Sequence, residues 1–200
     1  DHPQWEYKRL AGWKTPQKGD IVVFNFPAGD TVCTKYQNPD YYTLCYYQRR
    51  SVVNNRKDIF GDIVVRPVDR RENYGKRCVG TPGDSLQIID NVIFINGEQE
   101  PTHEYAQLNY FVRTDGHVFT KSYLDKLGIS KDDRMLVESG LYHFPLTKQM
   151  KEQLAKNPHV IGIEVEPAQY GGAVYPLGHN DWTRDHYGPI YIPRKGDRAV

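Results

Sequence analysis

The chain has no apolar run longer than four residues, as in Ile21 to Phe24 and Val92 to Ile95. Crossing a bilayer takes roughly 18, so no segment here is expected to span one. It also lacks an excess of charge of either sign. The 26 Lys and Arg stand against 25 Asp and Glu, a formal net charge of +1, which argues against a nucleic-acid module held by phosphate contacts. Cysteine is scarce: Cys33, Cys45 and Cys78 cannot all pair within one chain, and no C-x-x-C spacing suggests zinc or a redox dithiol. The start, Asp1-His2-Pro3, carries no Met, no basic segment and no apolar segment of a secretory leader, and reads as an excised piece.

What is abundant favours strand. Fifteen Tyr suit half-buried pleated surfaces, and 17 Gly with 13 Pro can punctuate many short elements. Ile21 to Phe26, launched by Lys18-Gly19-Asp20 and stopped by Pro27, reads as a strand apolar on both faces and therefore central in a sheet. Ile63-Val64-Val65 repeats the pattern after Gly61-Asp62 and before Pro67. Between them, the polar and Tyr-rich stretch 38–57 reads as a surface excursion with some helix, its tyrosines Tyr41, Tyr42, Tyr46 and Tyr47 expected to pack into the core. Asn73 to Val79, Leu86 to Asp90 and Val92 to Ile95 follow as strands. Thr81-Pro82-Gly83-Asp84 has the Pro and Gly positions of a type II turn, and Asn96-Gly97 is a strong hairpin signal.

From Glu104 the pattern becomes mixed. Leu108 to Arg113 reads as strand, 120–127 as a short helix stopped by Gly128, a stretch capped by Thr147 as a second helix ending at Asn157-Pro158, and Val160 to Val165 as strand. The expected organisation is mainly β: an antiparallel core over 1–103, an α+β insertion over 104–166 and a return to the core over 167–200.

Lys76 is the residue with chemistry. In Tyr74 to Gly80 it shares a strand face with Tyr74 and Cys78, while Gly75, Arg77 and Val79 point the other way. Packed beside small and apolar neighbours, a lysine can lose its proton near neutral pH and serve as a base towards a serine hydroxyl. Lowering a lysine pKa from about 10.4 to about 7 takes roughly 4 to 5 kcal/mol, which only a packed site supplies. From the pattern alone, the favoured reading is a lysine that snorkels to water at a strand edge.

Lys76-Arg77-Cys78-Val79-Gly80-Thr81-Pro82-Gly83-Asp84 resembles the lysine box of bacterial type I signal peptidases, and Lys18-Gly19-Asp20-Ile21-Val22-Val23-Phe24 is similar to the Gly-Asp-x-Val-Val-Phe box that precedes it. Ile95-Asn96-Gly97-Glu98 fits the hairpin that follows. The remainder, including Arg66-Pro67-Val68-Asp69 and Arg184 to Pro189, resembles the long Bacteroidetes-type members. The resemblance implies a membrane-anchored endopeptidase that removes signal peptides after Ala-x-Ala-like sites on the outer face of the cytoplasmic membrane, by a Ser/Lys dyad without metal or cofactor. Lys76 then matches the general base and Arg77 an arginine that pairs with later acids. Gly80, Pro82, Gly83 and Asp84 match the turn that shapes the site. Tyr74 and Gly75 are expected to touch substrate, Gly75 standing where relatives commonly carry a β-branched pocket residue. The implied partners are signal peptides of preproteins and a bilayer reached through anchors absent from this chain, with no nucleic acid.

Two departures qualify the resemblance. None of Ser51, Ser85, Ser122, Ser130 and Ser139 is followed by Met, as the family nucleophile is, and the Gly-Asp-Asn-Arg box does not occur. Truncation at both ends is the expected cause of both, and the 200 residues alone are expected not to cleave. The alternative is a non-catalytic peptide-binding β module. His179, Asp181, Asp185 and His186 match no metal-binding spacing and read as a loop with capping acids.

Overall fold

The computed structural model describes residues 8, 10–12, 14–179 and 181–198. It is mainly antiparallel β with short helices, in two compact units: one of residues 1–86, 175–179 and 190–200, the other of 87–174 and 180–189.

In the first unit, β1 (Ile21–Asn25) and β2 (Thr31–Cys33) are followed by α1 (Tyr41–Gln48), α2 (Arg50–Asn55), α3 (Lys57–Phe60), β3 (Ile63–Val65) and β4 (Asn73–Arg77). β1 pairs with β4, and β2 with β3, each as a two-stranded antiparallel sheet. β1 is therefore not central. Its apolar residues lack a covering layer among the described residues, leaving Ile21 64% and Val23 73% exposed.

The stretch between β2 and β3 is not a surface excursion, because it supplies the core. Tyr41, Leu44, Val53 and Phe60 are buried with Cys33, and Cys45 and Ile63 pack against them. Tyr41, Leu44 and Cys45 fall three and four residues apart, on one face of α1. Asp40 caps that helix, its carboxylate accepting from the backbone N–H groups of Tyr42 at 3.0 Å and Thr43 at 3.2 Å. Of the four tyrosines expected inside, only Tyr41 is buried. Tyr42, Tyr46 and Tyr47 lie on other faces of the helix and are exposed.

The chain continues through β5 (Ser85–Ile89), β6 (Val92–Ile95), β7 (Glu98–Gln99), β8 (Gln107–Thr114), α4 (Lys121–Leu127), β9 (Met135–Glu138), β10 (Leu141–Thr147), α5 (Lys148–Leu154), β11 (Val160–Val165) and β12 (Tyr187–Tyr191). One four-stranded sheet has the order β12-β5-β6-β7, with Asn96 and Gly97 at positive φ in the turn between β6 and β7. The second has the order β11-β8-β10-β9. On one of its faces Tyr110, Val112, Tyr142, Phe144 and Leu146 bury against Phe119, Leu124, Ile129 and Leu154, the last from α5 and Leu124 from α4. The hairpin β9–β10 was not anticipated from sequence. Its outer strand, Met-Leu-Val-Glu, is exposed at every residue and lacks the alternation that marks a half-buried strand.

Both helices of this unit begin where the sequence indicates. Thr120 Oγ1 accepts from Tyr123 N–H at 3.2 Å and Thr147 Oγ1 from Met150 N–H at 3.2 Å. Gly128 ends α4 with φ 82°. Replacing Thr120 by Ala should cost about 1 kcal/mol, read as a lower urea midpoint with an unchanged slope.

Candidate active site

β4 places the sequence-predicted residues. Its register with β1 sets Arg77 opposite Ile21, Lys76 opposite Val22, Gly75 opposite Val23 and Tyr74 opposite Phe24. Directly paired residues share a sheet face. Lys76 and Tyr74 thus stand with Val22 and Phe24, while Gly75 and Arg77 stand with Ile21 and Val23 on the opposite face. The structure brings Lys76 and Tyr74 together and separates Gly75 from both.

The Tyr74 ring packs edge-on to Phe24, with centroids 6.5 Å apart, and against Phe26 at 5.0 Å, while its hydroxyl donates to Glu72 at 3.3 Å. Lys76 Nζ lies 5.9 Å from the Tyr74 ring centre, a cation–π distance. Lys76 itself is exposed. The packed environment expected around its amine is not formed by the described residues, because β4 has β1 as its only strand partner and no further layer covers their common face. Gly75 opens onto space as well, since a Cβ built there meets nothing within 4 Å.

Arg77 donates from Nη1 to the carbonyl of Gly19 at 2.8 Å. Next to it, Gly19 N–H donates to the Cys78 carbonyl and Cys78 N–H to the Asp20 carbonyl, both at 2.8 Å. The two sequence boxes are therefore neighbours in space. The lysine box begins with residues pinned to the start of the Gly-Asp box, and the strand register carries that adjacency through to Phe24 and Tyr74. Asp20, half-buried, is held below the ordinary carboxyl value by accepting from Gln17 N–H and from Lys14.

The turn after β4 is tied at several points. Asp84 N–H donates to the Thr81 carbonyl at 3.0 Å, and the Asp84 carboxylate accepts from Thr81 N–H at 2.8 Å and Thr81 Oγ1 at 2.9 Å. Gly83 has φ 100°, as the third position of a type II turn requires. Its N–H donates to the Ile192 carbonyl at 2.7 Å, and Ile192 N–H donates to the Asp84 carbonyl at 2.8 Å. The Gly80 carbonyl accepts from Cys78 Sγ at 3.3 Å. A Cβ on Gly83 would lie 1.8 Å from Arg194 Nε. The guanidinium can swing aside, but the backbone strain remains, so Gly83→Ala should cost about 1–3 kcal/mol, measured by denaturant unfolding.

Among the described residues no group of three or more His, Cys, Asp and Glu could hold a metal ion. Asp185 instead accepts from Arg184 Nε at 2.9 Å, and His186 Nδ1 lies 3.4 Å from Asp90.

One cluster escaped the sequence reading. Glu166, with its side chain 9% exposed, accepts from Asn109 Nδ2 at 3.2 Å, pairs with Arg184 Nη1, and lies 2.8 Å from His143 Nε2. Burial alone would raise its carboxyl. Hydrogen bonds from Arg184 and Asn109, with the nearby charge, outweigh this and hold it below its ordinary value of 4.5. The four residues come from β8, β10, the residue after β11 and the segment before β12, so no local spacing could have announced them.

These features define an antiparallel β protein carrying a strand with an exposed lysine beside a turn-forming Gly-x-Pro-Gly-Asp run. A model of the family described as signal peptidase, peptidase S26, matches residues 3–143, and the chain belongs to that family. It is similar to the signal peptidase I of Rickettsia typhi, 40% identical over 63 residues that make up 30% of this chain and 23% of the relative. It is also similar to that of Rickettsia conorii, 31% identical over 118 residues, 49% of this chain and 42% of the relative. The chain thus spans less than half the length of these curated relatives. No solved structure matches. No helix among the described residues is long and apolar enough to cross a membrane.

Proposed function

We propose that the whole protein is a signal peptidase I, a serine endopeptidase that removes signal peptides from preproteins, and that this chain carries its general base, Lys76. The observation that supports this reading is the family match over residues 3–143, which includes both sequence boxes and the strand pair they form. In the reaction, a serine Oγ attacks the scissile carbonyl carbon and passes its proton to Lys76 Nζ. The ammonium returns that proton to the leaving amine as the C–N bond breaks, and water then hydrolyses the acyl-enzyme. We place the nucleophile outside the 200 residues, since none of the five serines sits in a Ser-Met pair.

A lysine base must be desolvated. Val22, Phe24 and Tyr74 offer Lys76 an apolar surround on one side, and the bound substrate, laid extended beside β4, would supply the other. Tyr74 would bound that site, and the turn Gly80 to Asp84 would hold its shape. Gly75, on the opposite face, would act by leaving room rather than by contact with the group that Lys76 serves. Residues 104–166 we read as an α+β insertion on this domain. Membrane anchoring and an extracytoplasmic catalytic domain belong to the same proposal, with anchors supplied by other parts of the protein.

The exposure of Lys76 favours one competing reading, a β module that captures extended peptides without cutting them. The two separate on incubating full-length protein with a synthetic preprotein peptide bearing Ala at the two specificity positions. Cleavage after the second Ala is the expected result, and binding without cleavage would support the module.

A further inference from the structure

A cleft of about 240 Å³ in the second unit is lined by Asn91, Gln107, Leu108, Asn109, Val165, Arg184 and Asp185. It lies where β11 peels away from β8. Thr114 N–H points toward β10, donating to the Gly140 carbonyl at 2.7 Å, whereas Asp115 N–H donates to His159 on the β11 side at 3.1 Å. Main-chain groups alternate along a strand, so those of Asn109 and Gln107 face the β11 side. Glu166 N–H donates to the Asn109 carbonyl at 2.9 Å. There the ladder stops: the Glu166 carbonyl accepts instead from Arg184 Nη2 at 2.9 Å, and Pro167 follows. Asn109 N–H and both main-chain groups of Gln107 are left without a main-chain partner on that side among the described residues, and they border the cleft. The opposite wall is fixed by Asn91 N–H donating to the Asp185 carbonyl at 3.0 Å.

We propose that this cleft binds an extended, uncharged segment of another polypeptide, which continues the line of β11 and pairs with Gln107 by strand addition. Three carboxamides, from Asn91, Gln107 and Asn109, line the cleft and suit the amides of a peptide backbone. The volume has room for a couple of small residues and no more. Arg184 is already matched by two carboxylates, those of Glu166 and Asp185. Of the lining residues only Arg184 and Asp185 are charged, and they pair with each other, so the wall has no net charge and disfavours a segment that brings an unpaired charge, an acidic one included. This site lies in a different unit from Lys76 and does not depend on the reading of that residue.

The test uses the 200-residue chain labelled with ¹⁵N and the peptide Ala-Thr-Ala-Thr-Ala-Thr-Ala, with blocked ends, as probe. Titration into the millimolar range expected of a few main-chain pairs, a dissociation constant on the order of 1 mM, should shift the amides of Asn91, Gln107, Leu108, Asn109 and Asp185. A probe N-methylated at alternate residues, unable to donate on one edge, should bind at least about fivefold more weakly, as should one with Asp at the central Thr. Gln107→Pro removes the N–H that faces the cleft at the first residue of β8, a position where proline is tolerated, and should abolish the shifts. Gln107→Ala, which removes the carboxamide but keeps the main-chain N–H, should weaken binding without abolishing the shifts. No shifts at these residues, or equal binding of the methylated or acidic probe, would overturn the proposal, and the probe comparison holds whether or not the proline variant folds.

Discussion

Lys76→Met in the full-length protein should lower kcat/KM for signal-peptide cleavage by about 10²- to 10⁴-fold, the contribution of a positioned general base, while leaving the melting temperature nearly unchanged. The combination is informative because the side chain is exposed and makes one cation–π contact, with Tyr74. Its loss therefore has little to remove from stability and, if it is the base, nearly everything to remove from the rate. A variant that kept wild-type cleavage would take Lys76 out of the mechanism and leave the peptide-binding module as the better account.

Glu166→Ala should destabilise the second unit by about 3 kcal/mol, the low end of the cost of removing one partner from a buried ion pair. The low end applies because Arg184 keeps Asp185 and the Glu166 and Pro167 carbonyls as acceptors. Urea unfolding followed by fluorescence would measure it. The carboxyl of Glu166 is lowered in the folded state, so its contribution is fully present above its ordinary value of 4.5 and is lost as pH falls through its folded value. Wild type should thus lose stability on acidification below about pH 4.5 more steeply than Glu166→Gln, which has no proton to take up there. Parallel pH curves for the two proteins would remove Glu166 as the source.

Local signals were legible and long-range ones were not. The Thr120 and Thr147 caps, the Gly128 stop, the turn at Thr81 to Asp84 and the Asn96-Gly97 hairpin all depend on residues within a few positions of one another, and each forms as its chemistry dictates. The alternation that separates Lys76 from Gly75 is likewise local, and the register with β1 bears it out. Burial depends on what lies across a sheet. Ile21, Val22 and Val23 look central because both faces are apolar, yet among the described residues β1 pairs with β4 alone and no layer covers the pair, which leaves Lys76 exposed. The stretch 38–57 looked like surface because its polar residues hide a helical stripe of Tyr41, Leu44 and Cys45. Glu166, Asn109, His143 and Arg184 meet only through the sheet β11-β8-β10, over separations of 18 to 57 residues.

The amine at position 76 could act as a base or merely as a fixed positive charge, and one comparison separates these. Arginine keeps the charge and the length but cannot give up its proton at neutral pH. Steady-state cleavage by full-length Lys76→Arg, measured beside Lys76→Met, should therefore be as slow as that of the methionine variant. Cleavage within about tenfold of wild type, a loss of less than about 1.4 kcal/mol in transition-state stabilisation, would contradict the assignment of Lys76 as the base.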